Sequence, residues 1–113
     1  MKYGKLVRDR IPEIIAAKGE SAVTYVADDI EYLEKLKEKL GEETQEFLES
    51  ESPEEMADII EVLHAIRDFK GVTAEEIELI RKSKADSRGA FGERIILDET
   101  LPAEASAKKD KPL

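Results

Sequence analysis

The chain has 113 residues, 41% hydrophobic and 40% charged, with 27 acidic against 18 basic side chains and no cysteine. That length suits one domain with one modest core, and the apolar content sets it apart from disordered chains. A net charge of -9 argues against general affinity for nucleic acid or anionic membranes, and the missing cysteines exclude disulfides, thiolate metal sites and thiol nucleophiles. No apolar run approaches the roughly 20 residues of a membrane span, and the first residues lack the apolar core of a signal peptide, so the expected location is cytoplasmic.

In chain order, "KYGKLVRDR" leads to Pro12, which fits the first turn of a short helix carrying Ile11, Ile14 and Ile15 and ending at Gly19. "SAVTYVA", Ser21 to Ala27, is β-branched, but one short segment has no strand to pair with and reads as a connector. Asp28 or Asp29 caps a long second helix to about Ser50, with Ile30, Leu33, Leu36, Leu40, Thr44, Phe47 and Leu48 in helical register. "SPEE" opens a third helix, with Ser52 as cap, Pro53 in the first turn and Glu55 three residues after the cap; Gly71 ends it. Thr73 and Glu76 form another capping box, for a fourth helix that fades between Asp86 and Gly89. Beyond Asp98 the chain is polar and contains proline, and residues 99–113 are expected to form a disordered tail.

The stretch "EETQEFLESESPEEMAD", Glu42 to Asp58, concentrates carboxylates on both sides of the second turn. At about 100° per residue, Glu43 falls on the same stripe as Leu36, Leu40 and Phe47, facing inward. Glu46 lies a turn further on the flank, and Glu42 stands beside it. Like charges about 4 Å apart cost about 4 kcal/mol at the effective dielectric near a protein surface, so their convergence calls for a counterion. In an antiparallel hairpin Glu43 and Glu46 face Glu55 and Asp58, an all-oxygen set that selects hard cations, Mg²⁺ or Mn²⁺. Glu49 and Glu51 read as solvated surface and Glu54 as a helix-end residue favoured by the dipole. A cap with Ser52 accounts for Glu55 without any metal. His64, the one histidine, sits between Glu61 and Asp68 and reads as surface. Lys5, Arg8 and Arg10 near the start, and Lys82, Lys84, Arg88 and Arg94 near the end, suit either phosphate recognition or charge balance. Phe91, between Gly89 and Gly92, marks a turn and offers a ring for stacking on a base.

"GEETQE", with Glu42, Glu43 and Glu46, followed by "EEMAD", with Glu55 and Asp58, resembles the E-E-x-x-E … E-x-x-D signature of the all-α NTP pyrophosphatases. That superfamily contains MazG, dimeric dUTPases and phosphoribosyl-ATP pyrophosphohydrolase. "YGKLVRDRIPEII" and "KSKADSRGAFGERIIL" resemble the ends of its small MazG-like members, so the similarity covers residues 1–98. Two features depart from the pattern: the link between the acidic motifs is short, and the family's R-G-G-F stands here as Arg88, Gly89, Ala90, Phe91.

The resemblance implies an all-α, four-helix-bundle-like MazG-type protomer completed by association into a homodimer or dimer of dimers. A nearly apolar third helix, with Ala57, Ile59, Ile60, Val62, Leu63, Ala65, Ile66 and Phe69, points the same way. Glu43, Glu46, Glu55 and Asp58 would ligate Mg²⁺, and Glu42 and Glu46 would act on the attacking water. The basic residues and Phe91 would hold the nucleotide. The expected activity is Mg²⁺-dependent cleavage of nucleoside triphosphates between the α and β phosphates, giving a monophosphate and pyrophosphate, including clearance of non-canonical nucleotides. Phosphoribosyl-ATP is the alternative substrate. The alternative of another class is a non-enzymatic helical protein whose acidic hairpin binds cations or a basic partner.

Overall fold

A computed structural model describes residues 4–103 of the chain. Among them are four helices and no strand: α1 (Ile11–Ala17), α2 (Asp29–Ser50), α3 (Pro53–Phe69) and α4 (Ala74–Arg88). The all-α expectation therefore holds. Of the expected tail, residues 99–103 are exposed and the rest lies outside the described residues. No described helix is long and apolar enough to cross a membrane.

Local chemistry sets the helix ends. Gly19 and Gly71 follow α1 and α3 at φ of 88° and 74°, a left-handed conformation that costs glycine little. The Asp28 carboxylate accepts the Glu31 N–H at 2.9 Å to start α2, and Ser52 Oγ accepts the Glu55 N–H at 3.3 Å to start α3. Thr73 Oγ1 does the same for the Glu76 N–H at 3.1 Å at the head of α4. The segment at 21–27 forms no strand, and Val23 and Val26 are almost fully exposed.

The chain divides into two compact units between Glu78 and Leu79, inside α4. In the first, α2 packs against α3. The Tyr32 and Phe69 rings meet edge to face at 5.5 Å, so the start of α2 lies beside the end of α3 and the pair is an antiparallel hairpin. Its core is small: Leu36 and Val62 are the buried hydrophobic residues among those described. Leu40 and Phe47 are half-buried beside the stripe that carries Glu43. The apolar face of α2 is narrower than its periodicity predicts, because Ile30, Thr44 and Leu48 are exposed. A single neighbouring helix covers only one side of α2, which leaves those flanks uncovered. On α3, Met56, Ile60 and Leu63 are likewise about half exposed.

Leu36, 2% exposed, anchors this seam. Leu36→Ala is expected to lower stability by about 2–4 kcal/mol through lost transfer energy and a residual cavity, and Ser52→Ala by about 1 kcal/mol through loss of the cap. Both are measured as shifts of the urea midpoint at constant slope.

Candidate metal centre

The short link between α2 and α3 brings the two halves of the acidic stretch together. Residue 51 leaves α2 with φ 55°, its N–H still bonded to Phe47 O at 2.7 Å, and Ser52 immediately caps α3. The last turns of α2 therefore lie against the first turns of α3. Glu43 comes from the inward stripe of α2 and is 8% exposed. Glu55 and Asp58, one turn apart on α3, face it. One carboxylate oxygen from each of Glu43, Glu55 and Asp58 lies within 4.8 Å of the other two.

The cap on α3 explains why Glu55 is free to join them. In a complete capping box the Glu55 side chain would reach back to the Ser52 N–H. Here that N–H goes to Ser50 Oγ at 3.2 Å instead. Glu55 Oε2 and Glu43 Oε2 are both enclosed and, with both carboxylates ionised, have no hydrogen-bond partner. Two enclosed, unsatisfied carboxylate oxygens are costly, and they fit a bound cation. An octahedral Mg²⁺ with bonds near 2.1 Å sets adjacent oxygens about 3.0 Å and opposite ones about 4.2 Å apart, so each of these donors would draw in by up to about 1 Å to share one.

The same crowding of carboxylates favours a proton. Burial pushes the Glu43 carboxyl up to about 7, helped by a hydrogen bond toward Glu55 and by the charges of Glu46 and Asp58, against the pull of Lys39. Glu55 is also raised, first by burial; the bond from Glu43 opposes this, and the charges of Glu46 and Asp58 reinforce it. Two ionised carboxylates have no donor to offer each other, and a proton on Glu43 supplies one.

Three cationic side chains border the cluster. Arg8 Nη2 stands 2.7 Å from Asp58 Oδ1, and Lys5 Nζ stands 3.4 Å from Glu42 Oε1. Lys39 Nζ is 3.8 Å from Glu43 and 3.9 Å from Glu42. Of the residues singled out from the sequence, Glu43, Glu55 and Asp58 thus converge, and Lys5 and Arg8 join them. Glu42 is the partner of two lysines. Glu46 is exposed and stands outside the group of three, although its charge acts on both Glu43 and Glu55. Arg10 pairs instead with Glu13 at 3.2 Å. Lys39 was not singled out, though its i,i+3 and i,i+4 spacing to Glu42 and Glu43 is a readable signal.

Glu49, Glu51, Glu54 and His64 are exposed, as expected of surface groups. Lys82, Lys84, Arg88, Phe91 and Arg94 belong to the second unit. There Lys82 pairs with Asp86 at 3.7 Å, and Phe91 is 96% exposed, with its carbonyl accepting the Arg94 N–H at 3.1 Å. No family model, curated protein or solved structure matches the chain.

The raised Glu43 pKa fixes a sign for stability. The folded state holds this proton more tightly than the unfolded chain, so Glu43's contribution is fully present below pH 4.5 and is lost as pH rises through about 7. Glu43→Gln removes that loss. In metal-free buffer the variant is expected to gain on the order of 1–2 kcal/mol relative to the parent between pH 5 and pH 8, read from paired urea melts. A constant difference between the two proteins across that range would contradict the assignment.

Proposed function

We propose that the protein is a Mg²⁺-dependent nucleotide pyrophosphohydrolase acting between the α and β phosphates. The observation that carries this reading is the enclosed, unsatisfied carboxylate group of Glu43, Glu55 and Asp58 at the α2–α3 seam. It is supported by the resemblance of both acidic motifs to the all-α NTP pyrophosphatases. It is supported too by the basic side chains at the rim.

In this reading Glu43, Glu55 and Asp58 hold Mg²⁺, with Glu46 completing the set from the flank, and Mn²⁺ serves equally as a hard cation. The bound ion would supply positive charge to offset that of the phosphates and would acidify water. Glu46, exposed at the edge of the cluster, accepts the proton of the attacking water, and Glu42 orients that water. Water adds at the α phosphorus and the bond to the α–β bridging oxygen breaks. The monophosphate and pyrophosphate leave, and the carboxylate returns its proton to solvent. Lys5 and Arg8 offset charge on the phosphates during transfer. Arg10, Lys82, Lys84, Arg88, Phe91 and Arg94 are assigned to nucleotide binding on the resemblance alone. A homodimer or dimer of dimers covers Met56, Ile60 and Leu63 of α3, whose exposure supports the association.

The test is pyrophosphate release from a panel of canonical, damaged and deoxynucleotides and phosphoribosyl-ATP, with Mg²⁺ or Mn²⁺. Metal-dependent release from at least one is expected, with kcat reduced at least about 100-fold in Glu43→Gln and Asp58→Asn. Release from none, or full activity in both variants, would sink the enzymatic reading in favour of a cation-binding interaction protein.

A further inference from the structure

The acidic seam does not face solvent alone. The segment before α1 lies across it and contributes the two cations that come from farthest away in sequence, Lys5 against Glu42 and Arg8 against Asp58. Asp58 is one of the three residues whose oxygens converge. The Arg8 guanidinium therefore holds an oxygen of a residue that the metal needs.

Charge balance shows what the pairing does. Five carboxylates gather here: Glu46 and Asp58 act on Glu43 and Glu55, and Glu42 shares Lys39 with Glu43, while Lys5, Arg8 and Lys39 are the cations paired with them. With all ionised, two negative charges remain, so the segment offsets part of the repulsion without removing the demand for a cation. A divalent ion beside Asp58 brings two positive charges close to a guanidinium. At about 5 Å and an effective dielectric of about 20 that repulsion is several kcal/mol before solvent screening. Lys39 is fixed on α2 within one turn of Glu42 and Glu43, whereas Lys5 and Arg8 sit on a segment outside any helix and are more than half exposed. Their pairs are of the solvent-screened kind that contributes little and exchanges readily. The antagonism is thus relieved by moving the segment.

Resting on the metal-centre reading above, we propose that residues 4–10 form an exchangeable counterion strap. Arg8 and Lys5 hold Asp58 and Glu42 while the site lacks metal. Binding of the divalent cation displaces them, and the freed guanidinium and ammonium become available to the anionic ligand that accompanies the metal. The strap and the metal are competitors, and the metal and the anion are cooperative through the strap.

Calorimetric titration of the full-length protein with Mn²⁺ alone, without nucleotide, tests this. Arg8→Gln is expected to bind Mn²⁺ about five-fold more tightly than the parent, the factor set by releasing one exposed ion pair. Arg8→Lys should fall between them. Lys18→Gln, which removes the same charge at the end of α1, should leave the affinity within two-fold of the parent. As a second readout, Mg²⁺ added to the labelled parent should lower the NMR order parameters of the residue 5–10 amides. Saturable Mn²⁺ binding with an equal or weaker constant in Arg8→Gln would overturn the strap while leaving the metal centre intact. So would order parameters unchanged by bound Mg²⁺. Absence of Mn²⁺ binding in both parent and Arg8→Gln would overturn the metal centre and the strap with it.

Discussion

The repulsion among Glu43, Glu55 and Asp58 is the constraint around which the first unit is organised. Glu43 occupies a position on the inward stripe of α2 where a leucine would extend the core set by Leu36 and Val62. An apolar residue there would stabilise the hairpin by about 1.5–3 kcal/mol if fully buried. The carboxylate instead forces its surroundings to supply a proton, a lysine or a cation. Each of these is present or accommodated. Its own pKa is raised to about 7, Lys39 lies within 3.8 Å, and the donor oxygens lie close enough to share an ion. Crowded carboxylates with a raised pKa of this kind weaken a fold, and such groups cluster at functional sites.

The cap of α3 shows the same trade at a second position. Ser52 and Glu55 have the spacing of a capping box, and an isolated helix would use both halves. Only the forward half is used here, from Ser52 Oγ to the Glu55 N–H. Ser50 meets the other donor, so α3 keeps its start while the Glu55 side chain turns toward Glu43. The positive end of the α3 dipole further favours an anion at this first turn. Stability and site chemistry are thereby assigned to different atoms of one residue.

Much of this was legible in the sequence because the signals are local. Asp28, Ser52 and Thr73 are each three residues from the N–H they accept, and Pro53 and Gly71 bracket α3 as their backbone preferences require. Glu43 stood out because it breaks an apolar stripe of period 3.6. The sequence could not show the width of that stripe: Ile30 and Leu48 fit the period yet are exposed, since exposure depends on how many neighbours cover the helix. Nor could it show that Arg8, fifty positions from Asp58, would reach it, or that Arg10, equally basic, would turn to Glu13. Contacts between residues distant in sequence follow from the path of the chain before α1. The periodicity of the helices does not encode that path.

The turn between α2 and α3 carries the remaining step. Residue 51 is a glutamate in the left-handed region at φ 55°, ψ 26°, where a non-glycine residue costs roughly 1–2 kcal/mol. A longer or glycine-containing link would avoid that strain, but it would also let the first turn of α3 slide along the end of α2. Because the carboxylate oxygens converge within 4.8 Å, a slide of one helical residue, about 1.5 Å, would disperse the donors. The bond from the residue 51 N–H to Phe47 O at 2.7 Å and the immediate cap at Ser52 fix the register. The shortness of the link therefore helps define the site: it permits one register, and that register places Glu43 against Glu55 and Asp58.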